Sequence, residues 1–168
     1  YPTAPQFSEG FGEAQLREAV QLSNGDPIPR RLSLYLHVPF CMSPCFYCGC
    51  NRIITRDVAR GEVYLARLYR EIELVSALFD RDREVVQLHF GGGTPNFLSP
   101  AQLAEAVDVL RGHFRFSKAS TRDISIELDP RFLKPDDVGE LAAAGFNRAS
   151  LGVQDFDPAV QEAVNRIQ

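Results

Sequence analysis

Outside one stretch of ten residues, this 168-residue chain has no cysteine. That removes a disulfide scaffold as the source of its stability, and nothing else marks it as secreted. It has no excess of positive charge: the formal net charge is −4 and the pI about 5.4. No broad basic face or polybasic cluster is present, so nucleic acid and an anionic membrane surface are not expected partners. Long hydrophobic runs are also missing. The run Leu141–Gly145 is typical, and it is far too short to span a bilayer. The N-terminus lacks the charged-then-apolar start of a secretory signal. These absences lead to the expectation of a cytoplasmic protein. The first residue is Tyr1 rather than Met, and the last, Gln168, follows a helical pattern directly, so a piece of a longer protein is expected.

What is present fits one folded domain. The apolar fraction is 45% and the charged fraction 24%, ordinary values for a globular chain long enough to build a core. Residues 1–31 are rich in Pro, Gly and polar residues and hold one expected helix, Gly12–Ser23, so they read as an incomplete N-terminal extension. From Leu32 a unit repeats: a short strand, a turn, then an amphipathic helix. Strands are expected at 32–38, 84–90, 123–128 and 147–153, and helices at 57–79, 100–113, 135–144 and 157–166. Ser99 and Asp157 are N-caps followed by proline, Lys134–Pro135 makes a similar start, and Gly145 is a helix stop. Alternating strands and helices imply an α/β fold with a parallel sheet.

The strands do not read as fully buried. Leu34, Leu36 and Val38 oppose Tyr35 and His37. Val86, Leu88 and Phe90 oppose Gln87 and His89; Ile124, Ile126 and Leu128 oppose Ser125, Glu127 and Asp129. Ala149, Leu151 and Val153 oppose Ser150, Gly152 and Gln154. Each strand thus has one apolar and one polar face. Helices must cover the first, and the second must face a wet lumen, since a second helix layer would bury those polar groups unpaired. A barrel or part-barrel meets both demands; exposed edges are the blander reading of the same pattern.

All four cysteines lie in "CMSPCFYCGC", residues 41–50, straight after the first strand. In a βα barrel, that strand end is where chemistry is placed. The spacing C-x3-C-x2-C-x-C is too crowded for the usual structural zinc pairs. A tight loop of thiolates suits an iron–sulfur cube first, with zinc and redox or inert thiols as the alternatives. "GGGT", residues 91–94, follows the second strand; by itself it is only a turn that lets backbone approach a ligand.

The C-x3-C-x2-C spacing with Tyr47 before the third cysteine resembles the radical S-adenosylmethionine (SAM) signature. "YLHVPFC", "CFYCGCN", "FGGGTP", "IELDPR" and "GVQDF…VNRIQ" resemble the oxygen-independent coproporphyrinogen III oxidases, as does the opening "YPTAPQFSEGF". The resemblance implies a partial (β/α)6 radical SAM barrel over 32–168, with about four βα units and more to follow. It implies that Cys41, Cys45 and Cys48 hold a 4Fe–4S cluster and that its fourth iron takes SAM. Cys50 would lie near a second SAM molecule; without the family it would be a small buried apolar residue. Tyr35, Gly92, Gly93, Thr94, Glu127, Gln154 and Arg166 match family positions around the first SAM, with Tyr35 and Cys50 closest to the chemistry. Arg166 alone would read as a solvated helix charge. Phe46 and Tyr47 would flank adenine and cluster, or simply shield the cluster. Roles for His37, His89 and Asp129 stay open, His89 reading equally as a satisfied barrel histidine.

The implied activity is oxidative decarboxylation of two propionates of coproporphyrinogen III to vinyl groups, giving protoporphyrinogen IX in heme biosynthesis. A 5′-deoxyadenosyl radical from SAM would abstract hydrogen from the propionate β-carbon, with two SAM molecules serving two propionates. The electron donor would be a flavodoxin or ferredoxin, and the protein a monomer. The substrate's four carboxylates call for nearby cations, with Arg52 and Arg56 as candidates. A radical SAM heme chaperone without decarboxylase activity is the alternative, but such relatives carry an aromatic residue where Cys50 stands. A zinc-bound interaction module is the third.

Overall fold

The computed structural model describes residues 9–168; the opening "YPTAPQFS" lies outside the described residues. The first element is α1 (Glu13–Asn24), preceded by Gly12, whose N–H donates to Gln15 Oε1 at 3.0 Å. Strand β1 (Leu32–Val38) leads into a two-residue strand β2 (Phe40–Cys41), and β3 (Ile53–Ile54) closes the intervening loop. Then come α2 (Arg60–Ser76), β4 (Glu84–Gly92), α3 (Pro100–His113), β5 (Arg115–Phe116), β6 (Asp123–Leu128), α4 (Pro135–Ala144), β7 (Arg148–Leu151) and α5 (Pro158–Ala163). Single 3-10 turns at Pro95–Phe97 and Pro130–Phe132 follow β4 and β6.

The main sheet runs in the order β1-β4-β6-β7, and every pairing is parallel. The short β5 pairs with the start of β4. Sequential strands that stay adjacent, each followed by a helix, form an arc of four βα units, the open part of a barrel. One core lies between the strands' apolar face and the helices. Leu36, Val38, Leu88, Phe90, Ile124 and Ile126 pack there with Leu65 and Ile72 of α2, Leu103, Val107 and Leu110 of α3, and Leu141 of α4. Ser99 Oγ accepts from Gln102 N at 3.3 Å, while Gln102 Oε1 accepts from Ser99 N at 3.0 Å, a reciprocal cap. Asp157 caps α5 through Ala159 N and Val160 N, and Gly145 ends α4 at φ 105°, the left-handed conformation glycine tolerates.

The N-terminal segment is tied to the barrel by one buried cation. Arg83 Nη1 donates to Asn24 Oδ1 at 2.9 Å, and its Nε and Nη2 donate to Arg30 O at 3.0 and 2.7 Å.

Three local expectations are corrected. Val85, not Val86, is the deeply buried residue at the start of β4. A register shift between Leu32 and Ser33, pairing them with Val85 and Gln87, skips Val86 and changes the phase of the alternation. The last strand is Arg148–Leu151 rather than 147–153, and it is exposed on both faces, Leu151 included. It pairs only with β6 among the described residues, so it is an edge. Helix α5 stops at Ala163 instead of 166, because Asn165 takes φ 55° and turns the chain back.

Gly93 fixes how the glycine turn seats on the cysteine loop. A Cβ there would come within 2.7 Å of Phe40 O and 2.9 Å of Pro39 O. Both are backbone atoms that cannot swing away. Gly93→Ala is expected to cost about 1–3 kcal/mol through overpacking, read as a lower thermal midpoint of the full-length protein. An unchanged midpoint would show that the two loops separate freely.

Candidate functional site

The polar strand face carries a connected set of side chains. Tyr35 of β1 stacks on His89 of β4, ring centroids 5.7 Å apart. His89 Nδ1 lies 2.8 Å from Ser125 Oγ, and its Nε2 lies 3.2 Å from Glu127 Oε1, both on β6. A carboxylate only accepts, so His89 Nε2–H donates to Glu127; Ser125 Oγ, which donates to Leu88 O at 3.3 Å, lies against Nδ1. His37 Nε2 meets the carbonyl of Asn51 at 2.9 Å, leaving Nδ1 to accept from Tyr35 Oη at 3.3 Å. Burial, then the Glu127 carboxylate, then Cys50 push the Tyr35 phenol above its ordinary pKa.

At the C-terminal ends of the strands this face opens into a cavity of about 510 Å3. Cys41, Cys45, Cys48 and Cys50 all line it, together with Gly92, Gly93, Thr94, Glu127, Gln154 and Arg166. The fold brings these together by simple means. β2 and β3 pair in parallel, Phe40 with Ile53 and Cys41 with Ile54, so the cysteine loop is clipped at its base. Asn165 Nδ2 donates to Pro44 O at 2.8 Å and Phe46 N to Val164 O at 2.9 Å, clipping its outer edge. Thr94 Oγ1 donates to Cys41 Sγ at 3.5 Å. Gly92, at φ 114°, could not carry a side chain without strain, and a Cβ would meet His37 Nδ1 at 2.8 Å. Gln154 holds φ 76°, an unfavourable conformation for a non-glycine residue and one that clusters at ligand sites.

Not every candidate lines the cavity. Tyr35 stands beside it, 58% exposed. Phe46 and Tyr47 project outward, 74% and 69% exposed. Arg52 and Arg56 both turn to the cysteine loop's own backbone. Arg52 Nη1 donates to Cys48 O at 2.9 Å and Cys50 O at 3.2 Å, and Arg56 Nε donates to Met42 O at 3.4 Å.

The site also contains a buried charge cluster whose partners the sequence did not reveal. Asp129 is 3% exposed. Arg131 grips it bidentately, Nε to Oδ1 at 3.0 Å and Nη2 to Oδ2 at 2.7 Å. Arg166 reaches Oδ2 at 3.2 Å and donates Nε to Gly152 O at 3.1 Å. Asn96, in the turn after the glycines, exchanges two bonds with the Asp129 backbone at 2.9 and 3.0 Å. Hydrogen bonding to Asp129 holds the Arg131 guanidinium above its ordinary pKa despite burial. Arg166 is therefore not a solvated helix charge. The signal for Arg131 was its two-residue spacing from lumen-facing Asp129; nothing in the sequence pointed to Asn96.

The thiols are not equivalent. Burial raises the pKa of Cys48, but hydrogen bonds from the Cys50 backbone and thiol, with Arg52 and Arg166 nearby, outweigh it and hold the thiol below its usual value. Cys50 is pushed up, first by its hydrogen bond to Cys48, then by burial and by the charges of Cys48, Glu127 and Cys41. Among the described residues no three His, Cys, Asp or Glu side chains converge on a point for one metal ion. A cubane instead takes one thiolate at each of three separated irons. Ser43 Oγ and Arg52 Nε, in and beside the cysteine loop, are covered by protein and have no partner among the described residues. Three thiols and bare glycine backbone around one cavity fit an iron–sulfur cluster with a polar organic ligand beside it.

Comparison with known families matches residues 35–168 to the radical SAM superfamily. The chain belongs to the radical SAM superfamily. Its whole length is also similar to oxygen-independent coproporphyrinogen III oxidases, at 52% identity to that of Pseudomonas aeruginosa and 42% to that of Synechocystis. The solved structure of the Escherichia coli coproporphyrinogen III oxidase, itself described as a radical SAM enzyme, superimposes with a TM-score of 0.89 at 47% identity. It covers 100% of this chain, which covers 37% of it. The chain spans 36% of the Pseudomonas relative. The superfamily implies a 4Fe–4S cluster and SAM, and the open parallel arc of this radical SAM chain is part of the same barrel. No described helix is long and apolar enough to cross a membrane.

Proposed function

We propose that this radical SAM chain is the cluster- and SAM-binding part of an oxygen-independent coproporphyrinogen III oxidase. The whole enzyme would convert two propionates of coproporphyrinogen III to vinyl groups, giving protoporphyrinogen IX. The reading is carried by one observation: Cys41, Cys45 and Cys48 share a cavity wall with Gly92, Gly93, Thr94, Glu127, Gln154 and Arg166. When bound, the cluster and SAM supply a carbon radical able to remove a hydrogen atom from an unactivated position.

The chain's own residues bind and orient. Cys41, Cys45 and Cys48 would hold the cluster, and Cys50 would stand beside the reacting groups. Gly92 and Gly93 offer backbone at close range because neither has a side chain in the way. Arg166, fixed by Asp129 and Gly152 O, presents a cation suited to an amino-acid carboxylate. Glu127, oriented by His89, presents an acceptor for ammonium or ribose hydroxyls. Tyr35 adds an aromatic face stacked on His89. Two SAM molecules, a flavodoxin- or ferredoxin-type electron donor and a cytoplasmic monomer belong to the same proposal.

The test uses the full-length protein, reconstituted anaerobically with iron and sulfide. Supplied with SAM, a low-potential reductant and coproporphyrinogen III, it is expected to release CO2 and form protoporphyrinogen IX with 5′-deoxyadenosine. A cluster-loaded protein that cleaves SAM yet leaves coproporphyrinogen unchanged would overturn the substrate assignment. A colourless protein that takes up only zinc would overturn the cluster.

A further inference from the structure

The turn that follows β4 touches both the cysteine loop and the buried charge cluster. Thr94 Oγ1 donates to Cys41 Sγ at 3.5 Å. The Phe97 ring packs on that of Phe40, the neighbour of Cys41, with centroids 4.7 Å apart. Between them, Asn96 reaches Asp129, just past the end of β6. Its Oδ1 accepts from Asp129 N at 2.9 Å and its Nδ2 donates to Asp129 O at 3.0 Å. The side-chain amide thus pairs with one residue's N–H and C=O, as a residue of a neighbouring antiparallel strand would. It does so where the ladder between β4 and β6 has already stopped, since the last pair there is Phe90 with Ile126. Asparagine suits the place because it carries a donor and an acceptor at one tip. Asp129 O also accepts from Phe132 N at 3.2 Å, so the Asp129 N–H is the group that relies more on Asn96. Pro95, buried between Thr94 and Asn96, has a fixed φ and leaves the turn little freedom.

We propose that Asn96 is a positioning residue for SAM that acts through Asp129: it fixes where Asp129 stands relative to the cysteine loop, and so where Arg166 is aimed. The proposal rests on the reading of Cys41, Cys45 and Cys48 as cluster ligands and of Arg166 as the cation for the SAM carboxylate. The Asp129 carboxylate is held by Arg131 at 2.7 Å and meets Arg166 at 3.2 Å, so a shift of its backbone carries the guanidinium with it. A ligand that must meet an iron and Arg166 together depends on the spacing between them. A misplacement of about 1 Å can cost on the order of a hundredfold in rate, even when its source lies far from the reacting atoms. The turn 94–97 sets that spacing, with Thr94 and Phe97 on the cysteine side and Asn96 on the arginine side.

The experiment measures SAM binding to the full-length, cluster-loaded protein by equilibrium dialysis, with iron and sulfide content in parallel. Asn96→Ala is expected to keep the cluster and to weaken SAM affinity about tenfold, the low end for removing a support behind a binding group. Asn96→Asp keeps the acceptor for Asp129 N and loses the donor, so its loss should be smaller. A double-mutant cycle with Arg166→Gln separates aiming from general damage. Because Asn96 acts through Arg166, adding Asn96→Ala to Arg166→Gln should weaken SAM binding by less than about twofold. Equal losses in the two backgrounds would overturn the proposal, as would wild-type affinity in a cluster-loaded Asn96→Ala protein. If Asn96→Ala takes up no cluster, the same cycle run with Asn96→Asp decides on the same terms. A cluster-loaded wild type that binds no SAM overturns the reading of the cavity itself, a result distinguishable from SAM bound with no regard to Asn96.

Discussion

Replacing Asp129 by alanine is expected to lower the stability of the full-length protein by about 3 kcal/mol, the lower end of the cost of breaking a buried ion pair. The carboxylate is 3% exposed and answers two guanidiniums. Without it, Arg131 and Arg166, with side chains 17% and 11% exposed, stand unpaired in a shared pocket. The second effect is on ligand binding. Among the described residues Arg166 is aimed by two anchors, Asp129 and Gly152 O, so SAM affinity should fall on the order of tenfold to a hundredfold, as when the supports of a ligating group are removed. Asp129→Asn separates the two effects. The amide keeps the shape and the Asn96 backbone bonds but not the charge, so stability should recover more than affinity. Thermal unfolding and equilibrium dialysis of SAM measure the pair. Wild-type affinity in a folded Asp129→Asn protein would show that the fork is structural only.

That cluster marks the boundary of what was legible in the sequence. Alternation in 32–38, 84–90 and 123–128 announced one polar sheet face, because side chains alternate wherever one face is buried. Caps at Ser99 and Asp157 announced helix starts, because the cap is a local hydrogen bond. The placement of Val85 was not legible, since a bulge is a property of two paired strands and not of one. Nor was the exposure of Leu151, which depends on what packs beyond the edge strand. The site divides the same way. The spacing of the cysteine loop suggested an iron–sulfur cube beside zinc and inert thiols, and only the resemblance singled out Cys41, Cys45 and Cys48. Arg166 declares itself only through Asp129, 37 positions earlier in sequence, counting from the two residue numbers. His89 was ambiguous because its contacts, Ser125 and Glu127, come from a neighbouring strand.

The cysteines themselves give the sharpest division of labour. Cys41→Ser, Cys45→Ser and Cys48→Ser are each expected to abolish cluster binding and all SAM cleavage in the full-length protein. A hydroxyl is a poor iron ligand, and three protein thiolates leave none in reserve. Cys50→Ser should behave differently. Its side chain lines the same cavity but falls outside the C-x3-C-x2-C spacing of the other three. Its backbone N–H, which donates to Cys48 Sγ, survives the substitution. The variant should therefore retain wild-type iron and sulfide while losing decarboxylation of coproporphyrinogen III, because the side chain is assigned to the reacting groups rather than to iron. Iron and sulfide analysis beside product assay reads both halves. Loss of the cluster in Cys50→Ser would make it a fourth ligand, and a cluster with four protein thiolates has no open iron for SAM. That result would remove the mechanism, not merely one residue from it.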